Sequence, residues 1–246
     1  GEYYMIPKKI HYIWFGGSEK PDVVLKCINS WKKYMPDYEI VEWNEDNFDL
    51  SDSQFAKSAY ESRKWAFASD YARFKILSKY GGIYFDTDVE LLKTIPDDIL
   101  AHSSFTGFEY IGEVNPGLVY ACMPDDKIAK YMVQYYEQAS FDINHLVTVN
   151  TIITDYLLKN NFQKNNQFQI IDGLAIYPDD YFCGYDQEVK EVRLTERTIS
   201  IHHYSATWKT RTLKRKVQMI VKTIIGAENY RKLLYCKRKI TNAVSK

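Results

Sequence analysis

Two aspartates separated by a single residue, Asp86 and Asp88, are the pair in this chain of 246 residues that best suits metal chemistry. They follow the run Ile83-Tyr84-Phe85, whose alternation predicts a β-strand. Successive strand residues face opposite sides, so Ile83 and Phe85 should enter the core while Tyr84 and both aspartates face a cleft. Hard cations such as Mg²⁺ and Mn²⁺ prefer carboxylate oxygens. The pair therefore predicts a metal site able to neutralise a diphosphate.

A charged helix is predicted directly before this strand, over residues 65–80, and Gly81-Gly82 should end it. Asp70 and Arg73 lie three residues apart and therefore share one face of that helix. The alternative is a solvated ion pair worth at most about 0.5 kcal/mol, beside an Asp-x-Asp triplet of a kind expected about once by chance. The combined unit of helix, double glycine, strand and acidic pair is much rarer than the triplet, and it favours a functional site.

The first strand and a late segment supply further candidates. Residues 10–15 are β-branched or aromatic and lead into Gly16-Gly17, which predicts a buried central strand ending in a glycine turn. Trp14 could stack on a nucleotide base there, or it could be a core residue above the turn. Residues 200–208 should begin as a strand and continue as a polar loop. Neighbouring strand residues face opposite sides, so only one of His202 and His203 could enter a site, and both could be structural.

A pattern across the helix and the acidic strand resembles the signature of glycosyltransferase family 32: Ser69-Asp70-x-x-Arg73, then Gly81-Gly82-x-Tyr84-x-Asp86-x-Asp88. The glucosyltransferase domains of large clostridial toxins carry a similar pattern. The resemblance extends from residues 6–17 to residues 202–208 and is loose over residues 105–180. It implies an α/β fold: a single GT-A-like domain over residues 1–208 with a Rossmann-like nucleotide-binding sheet.

The resemblance also implies an activity. This would be the metal-dependent transfer of a hexose, with retention of configuration, from a nucleoside diphosphate sugar to a glycan hydroxyl. A UDP-sugar is the favoured donor and GDP-mannose is the alternative. The glycan acceptor, which a lipid could carry, would belong to a bacterial surface polysaccharide such as capsule or lipopolysaccharide.

Roles for individual residues follow from the same resemblance. Asp88 and His203 would bind Mn²⁺ or Mg²⁺, with His203 selected by its distance from Trp208. The catalytic residues would be Asp86, Asp88 and Arg73. The donor-binding residues would be Trp14, Ser69, Asp70, Arg73, Tyr84, Asp86, Ser205, Thr207 and Trp208. Thr207 stands where the resembling enzymes have a serine, so the register of this hydroxyl contact is open.

The remaining pattern predicts an α/β domain. Helices are expected over residues 23–34, 54–62, 124–138 and 148–158, with strands over 38–43 and 105–108. The strand, helix and strand at the start form a βαβ unit and predict a parallel sheet. Four scattered cysteines without a CxxC pair disfavour a zinc ribbon and fit a reducing compartment.

Charge is divided unevenly along the chain. Residues 209–246 contain 12 Lys or Arg and one acidic residue, so this segment carries +11 and the preceding residues carry −11. Its interleaved Ile, Leu and Val predict a basic amphipathic helical tail that could bind an anionic membrane surface or pack on the domain. The charge accompanies no recognised nucleic-acid motif, so no nucleic-acid partner is expected. We also find no membrane-spanning run or signal-peptide pattern, and we expect a cytoplasmic protein, which the tail could hold at the inner face of the membrane.

Two other functions fit the same residues. A nucleotidyltransferase or a nucleotide-sugar hydrolase would use a similar metal cleft without a glycan acceptor. A noncatalytic carbohydrate-binding protein would use the aromatic residues, 15% of the chain, for sugar stacking.

Overall fold

A computed structural model describes residues 5–110, 112–186 and 191–204, together with Gly226 and Asn229. Within these residues the helices are α1 (Asp22–Tyr34), α2 (Gln54–Glu61), α3 (Trp65–Tyr80), α4 (Asp97–Leu100), α5 (Lys127–Gln138), α6 (Val149–Leu158) and α7 (Asp179–Phe182). The strands are β1 (Lys9–Ile13), β2 (Glu39–Trp43), β3 (Gly82–Tyr84), β4 (Val89–Leu91), β5 (Ser104–Tyr110), β6 (Glu113–Val114), β7 (Tyr120–Cys122), β8 (Gln169–Ile171), β9 (Leu174–Tyr177), β10 (Tyr185–Asp186), β11 (Glu191–Val192) and β12 (Ser200–His202). The predicted helical tail over residues 209–246 lies, apart from Gly226 and Asn229, outside the described residues.

A mixed sheet forms the centre of the domain, in the strand order β2-β1-β3-β7-β5-β9-β8, and β6 pairs with β5. Strand β1 runs parallel to both β2 and β3, and β5 runs parallel to β9. Strand β7 is antiparallel to its neighbours β3 and β5. The predicted βαβ unit is confirmed, because β1, α1 and β2 form a parallel pair with its crossover helix.

Two buried clusters cover the sheet, one on each face. Alternating residues of the central strands join different clusters, as Tyr84 does on one side and Ile83 and Phe85 on the other. Helices α2, α3, α5 and α6 supply the first cluster, and α1, α4 and α7 supply the second. The central strands are therefore buried on both sides, and only the ends of the strands remain open for a ligand.

The junction between α3 and β3 depends on two glycines. Gly81 and Gly82 have φ values of 61° and 106°, a region that side chains other than glycine rarely adopt. A Cβ at Gly81 would lie 2.7 Å from the ring of Pro124, and one at Gly82 would lie 2.8 Å from the carbonyl oxygen of Lys9. The predicted helix and its glycine stop are confirmed, because α3 covers residues 65–80. This close turn directs the chain from the buried face of α3 into the strand that leads to the aspartates.

The last described strand, β12, lies beside the segment that carries Asp86 and Asp88. Strand β12 pairs with β4 in antiparallel register, with His202 opposite Val89 and Ser200 opposite Leu91. The backbone N–H of His203 also donates to the carbonyl oxygen of Asp88 over 2.9 Å. Residues 200–203 are therefore fixed against the segment that carries Asp88.

The other predicted helices and strands begin and end within a few residues of their predicted bounds. The helix predicted from residue 124 begins at Lys127, because the side chain of Asp126 accepts a hydrogen bond from the Ala129 N–H and caps the helix. Cys27, Cys122 and Cys183 are buried free thiols. Among the described residues, no helix combines the length and the apolar character that a membrane crossing needs.

Candidate active site

Asp86 and Asp88 lie in the turn that joins β3 to β4. The Asp86 N–H donates to the Gly117 carbonyl over 2.9 Å, and the Val89 N–H donates to the Asp86 carbonyl over 3.0 Å. Both side chains are half-buried. The two carboxylates therefore stand at the carboxyl end of a central strand, on a backbone that is held on both sides.

The Asp86 carboxylate is oriented by two neighbours on one of its oxygens. Arg73 Nη2 lies 2.9 Å from Asp86 Oδ1, and the Tyr84 hydroxyl donates to the same atom over 3.1 Å. The Arg73 guanidinium also lies 4.5 Å from the centre of the Tyr84 ring, a cation–π distance. Three residues named by the sequence pattern are thus in mutual contact.

Asp70 and Arg73 form a buried pair rather than a solvated one. Arg73 Nη2 lies 3.2 Å from Asp70 Oδ1, and the two residues are 3% and 7% exposed. Burial raises the pKa of Asp70 to about 7, although Arg73 counteracts part of that effect. Burial alone would lower the pKa of Arg73, but the Asp86 carboxylate, with Tyr84 and Asp70, raises it overall. Arg73 is therefore a permanent cation that links Asp70 to Asp86.

His202 joins the two aspartates from the other end of the chain. Its Nε2 lies 2.9 Å from Asp88 Oδ1, across 114 residues of sequence. One ligand atom from each of Asp86, Asp88 and His202 lies within 4.8 Å of the others. Burial would lower the pKa of His202, but the Asp88 carboxylate outweighs this and the pKa is raised.

The sequence predicts His203 as the metal ligand, whereas the structure brings His202, not His203, to the two aspartates. His203 Nε2 lies 2.7 Å from Glu90 Oε2, which also accepts a hydrogen bond from Lys26 over 2.8 Å. Only one histidine faces the aspartates, as the strand geometry predicts. The choice of His203 rested on its distance from Trp208, whereas the side that each histidine faces is set by the pairing of β12 with β4.

The donor set of Asp86, Asp88 and His202 fits a divalent cation. Two carboxylates and one imidazole provide oxygen and nitrogen ligands of the kinds that Mn²⁺ accepts, whereas Mg²⁺ is more restricted to oxygen. His202 Nδ1 is buried, and it has no hydrogen-bond partner among the described residues. The convergence of one ligand atom from each of the three residues within 4.8 Å is the feature that best supports a metal site here.

The loop that contains Asn115 and Gly117 packs against the turn that carries Asp86. Asn115 Oδ1 accepts a hydrogen bond from the Gly117 N–H over 2.7 Å, and the Gly117 carbonyl in turn holds the Asp86 backbone. A Cβ at Gly117 would lie 2.1 Å from Asp86 Oδ2. The carboxylate therefore occupies space that only a glycine leaves open.

Three polar residues near the cluster of Asp86, Asp88 and His202 were not predicted from the sequence. They are Glu109, Asn150 and Tyr204. Glu109 is a buried carboxylate near the carboxyl end of β5, and it accepts a hydrogen bond from Asn150 Nδ2 over 2.7 Å. Tyr204 packs its ring 4.0 Å from the His202 ring. A charged residue ending a buried strand was a usable signal for Glu109, but its contacts with Asn150 and Tyr204 join distant parts of the sequence.

The other predicted donor-binding residues are only partly placed. Trp14 follows β1, is half-buried and donates its indole N–H to the Ser18 carbonyl over 2.7 Å. Ser69 is half-buried on α3, one residue before Asp70. Ser205, Thr207 and Trp208 lie outside the described residues.

Comparison with known proteins identifies the region that carries these residues. Residues 21–106 match the family model for a glycosyltransferase sugar-binding region containing the DXD motif. This part of the chain is therefore similar to the DXD-containing region of glycosyltransferases. The matched region includes α3, β3, Asp86 and Asp88, which form most of the site described above.

Three relatives extend the comparison. Subversion of eukaryotic traffic protein A of Legionella pneumophila is 24% identical over 180 residues, 59% of this chain and 28% of the relative. Inositol phosphoceramide mannosyltransferase 3 of Schizosaccharomyces pombe is 36% identical over 101 residues, 39% of this chain and 28% of the relative. An uncharacterized glycosyltransferase of Acanthamoeba polyphaga mimivirus is 28% identical over 203 residues, 74% of this chain and 78% of the relative. The chain thus spans about a quarter of the length of the first two relatives.

One solved structure supports the fold. The PaToxG glycosyltransferase superposes with a TM-score of 0.51 at 19% identity, covering 63% of this chain and 70% of that chain. Together with the mixed α/β sheet, this likeness confirms the expected GT-A-like fold.

Proposed function

We propose that this protein is a metal-dependent glycosyltransferase that moves a hexose from a nucleoside diphosphate sugar to a hydroxyl group. The observation that carries the proposal is the convergence of Asp86, Asp88 and His202 within 4.8 Å at the end of a central strand, with Arg73 on the Asp86 carboxylate. A family match alone would place only the acidic pair. The convergence also offers a third ligand, His202, and a cation, Arg73, that holds Asp86 in place.

Each residue has a proposed role in this reaction. Asp86, Asp88 and His202 would hold Mn²⁺ or Mg²⁺, which when bound supplies positive charge that stabilises the leaving diphosphate. Arg73 keeps the Asp86 carboxylate oriented, and Asp70 balances the buried charge of Arg73. Trp14 would stack on the base, while Ser69 and Tyr84 line the nucleotide side. Ser205, Thr207 and Trp208 would close over the pyrophosphate.

The reaction needs no carboxylate nucleophile in its simplest form. The acceptor oxygen bonds to the anomeric carbon as the bond from that carbon to the diphosphate oxygen breaks on the same face. The departing diphosphate takes the proton of the acceptor hydroxyl, and the configuration is retained. Positioning and charge neutralisation then provide most of the acceleration.

The resemblance to known glycosyltransferases suggests which donor and acceptor the protein uses. A UDP-sugar is our favoured donor, and the yeast mannosyltransferase relative makes GDP-mannose the alternative. The acceptor we propose is a glycan of a bacterial surface polysaccharide, which a lipid could carry. A cytoplasmic location at the inner membrane surface would fit the basic segment over residues 209–246.

Thermal shift with single nucleotide sugars tests the donor. A ligand that binds only the folded protein raises its midpoint, so UDP-glucose, UDP-galactose and GDP-mannose are compared with and without Mn²⁺. We expect one of them to stabilise the protein only when Mn²⁺ is present. Stabilisation by none of them would contradict the proposal.

Release of nucleoside diphosphate separates the three candidate functions. A transferase releases it faster when an acceptor glycan is added, whereas a nucleotide-sugar hydrolase releases it at the same rate with and without the glycan. A noncatalytic carbohydrate-binding protein releases none. Only acceleration by an acceptor supports the transferase.

A further inference from the structure

Glu109 lies at the same edge of the sheet as the metal-ligand cluster, because β3 and β5 both run antiparallel to β7. It lies near the carboxyl end of β5, and it is 8% exposed. The chain beyond it turns back, and the Asn115 N–H donates to the Gly107 carbonyl over 3.2 Å. Asn115 then holds the Gly117 N–H, and the Gly117 carbonyl holds the Asp86 N–H. Hydrogen bonds through Gly107, Asn115 and Gly117 therefore link the end of β5 to Asp86.

Polar side chains from three parts of the chain converge on this carboxylate. Asn150, in the first turn of α6, donates from Nδ2 to Glu109 Oε2 over 2.7 Å. Tyr204, Asn115 and His202 also lie close enough to the Glu109 carboxylate to lower its pKa against the effect of burial. Tyr204 in turn packs on His202, at 4.0 Å between ring centres. The carboxylate is thus tied to the cluster through both Asn115 and Tyr204.

Burying a carboxylate in this way costs free energy, and the group needs hydrogen bonds to compensate. Burial raises the pKa of Glu109, while Tyr204, His202 and Asn115 counteract the effect. Carboxylates held near a cleft are strong acceptors for hydroxyl donors, because charge-assisted hydrogen bonds are about twice as strong as neutral ones. A sugar hydroxyl, or a water molecule in its place, is the kind of donor that suits such a group.

We propose that Glu109 is an acceptor-binding residue, whose carboxylate accepts a hydrogen bond from the attacking hydroxyl and orients its oxygen toward the anomeric carbon. This proposal rests on the proposed transferase function. It gives the site an acceptor side, opposite the donor side formed by α3. The proton of the hydroxyl still leaves with the diphosphate, so Glu109 orients the nucleophile and takes no proton.

A purely structural role would also place a carboxylate here. Glu109 could simply anchor α6 to the sheet through Asn150. The two roles differ in what they change: loss of an anchor lowers stability, while loss of an acceptor contact slows attack on a donor that still binds normally. Kinetics with water as the acceptor can separate them, because water needs no identified glycan.

The test compares Glu109→Gln with Glu61→Gln, a control at an exposed position at the end of α2. Release of nucleoside diphosphate from UDP-glucose and GDP-mannose is measured with Mn²⁺ in water, and again with methyl glycosides of glucose, galactose and mannose added. We expect Glu109→Gln to lower kcat about ten- to hundredfold, the scale of one hydrogen bond to a charged group. The donor KM and the melting temperature should stay unchanged, and Glu61→Gln should match the parent.

Other results would overturn the acceptor role. A Glu109→Gln protein with a parental kcat has lost no acceptor contact, and one whose donor KM rises in step with the loss has lost a donor contact. If Glu109→Gln unfolds, Glu109→Asp keeps the charge but withdraws it from the acceptor, and it should slow release without changing donor KM. Unfolding of both variants would establish a structural residue. A parent that releases no nucleoside diphosphate from either donor contradicts the transferase function itself.

Discussion

His202 Nε2 lies 2.9 Å from Asp88 Oδ1, so the second aspartate of the acidic pair is in direct contact with a residue 114 positions further along the chain. The contact is built by backbone pairing as well as side chains, because His202 stands opposite Val89 in the β12–β4 ladder. His203, the next residue, faces Glu90 instead. The register of one short antiparallel pair therefore decides which histidine can serve as a ligand.

This arrangement predicts different effects for the two histidines. His202→Ala should weaken Mn²⁺ binding at least about tenfold, because it removes a nitrogen from the cluster. His203→Ala is the matched control, and it should leave the affinity close to that of the parent. Calorimetric titration of Mn²⁺ in the presence of nucleoside diphosphate measures both. Equal losses, or a larger loss for His203→Ala, would reject the assignment.

Asp88→Asn should abolish most Mn²⁺-dependent turnover while leaving the fold intact. The amide has nearly the same shape as the carboxylate but lacks the charge that binds a hard cation. Asp98→Asn, an exposed change on α4, serves as the control. Activity is compared at equal Mn²⁺, together with the melting temperature. A turnover within a few-fold of the parent would remove Asp88 from the metal site.

Gly117→Ala should disturb Asp86 without unfolding the protein. The added Cβ would lie 2.1 Å from Asp86 Oδ2, so the carboxylate or its loop must shift, at a cost of roughly 1–3 kcal/mol. We expect turnover to fall about tenfold or more. Gly107→Ala is the comparison, because its Cβ would approach only the Phe182 side chain, at 3.2 Å. Parental activity in Gly117→Ala would show that Asp86 can move without loss of function.

Stability should decrease below neutral pH because of His11. Its Nε2–H faces the Gly81 carbonyl at 2.9 Å, and Trp43 donates to its Nδ1, so the folded protein holds the imidazole neutral. Burial lowers the pKa of His11 from 6.5 to about 4. The unfolded chain therefore binds this proton first, and as the pH falls from about 6.5 to 4 the free energy of unfolding should fall by about 3 kcal/mol.

Urea unfolding of the parent and of His11→Gln measures this effect. Glutamine can still donate a hydrogen bond but does not titrate, so the variant should lose the part of the pH dependence that His11 causes. The difference between the two proteins across that interval isolates the contribution of the histidine. Parallel pH profiles would show that His11 has an ordinary pKa in the folded protein.

The basic segment beyond the described domain predicts membrane binding. With +11 beside a −11 domain, the full chain should sediment with liposomes that contain anionic lipid, and less so as salt increases. Replacing Lys214, Arg215 and Lys216 by glutamine should weaken sedimentation while leaving nucleotide binding unchanged. A full chain that ignores anionic liposomes at low salt would rule out the membrane role for residues 209–246.

Local signals in the sequence predict helix α3, which carries Asp70 and Arg73, and strand β1, which leads to Trp14. The sequence predicts the last residue of helix α3 because two glycines, Gly81 and Gly82, follow it. The turn at this point leaves no room for a Cβ atom. Strand β1 was identified by its β-branched and aromatic run before Gly16. In both cases the decisive interactions are between neighbours in sequence, which is why a pattern could reveal them.

The rest of the site depends on contacts between distant residues. Burial of Asp70 and Arg73 could not be read from their spacing, which equally suits a solvated helix face. The side that His202 faces depends on β4, and the environment of Glu109 depends on Asn150, 41 residues away. Such pairings are set by the tertiary fold, and a single sequence carries no local trace of them.

The pairing of β12 with β4 also imposes an order on folding during synthesis. A ribosome makes Asp86 and Asp88 long before it makes His202, and the ladder that seats His202 cannot form until β12 has emerged. A nascent chain that ends within α7 therefore has the acidic pair but not its third partner. The protein should gain tight cation binding only as the final strand of the described domain docks, which would keep incomplete chains from sequestering the ion during translation.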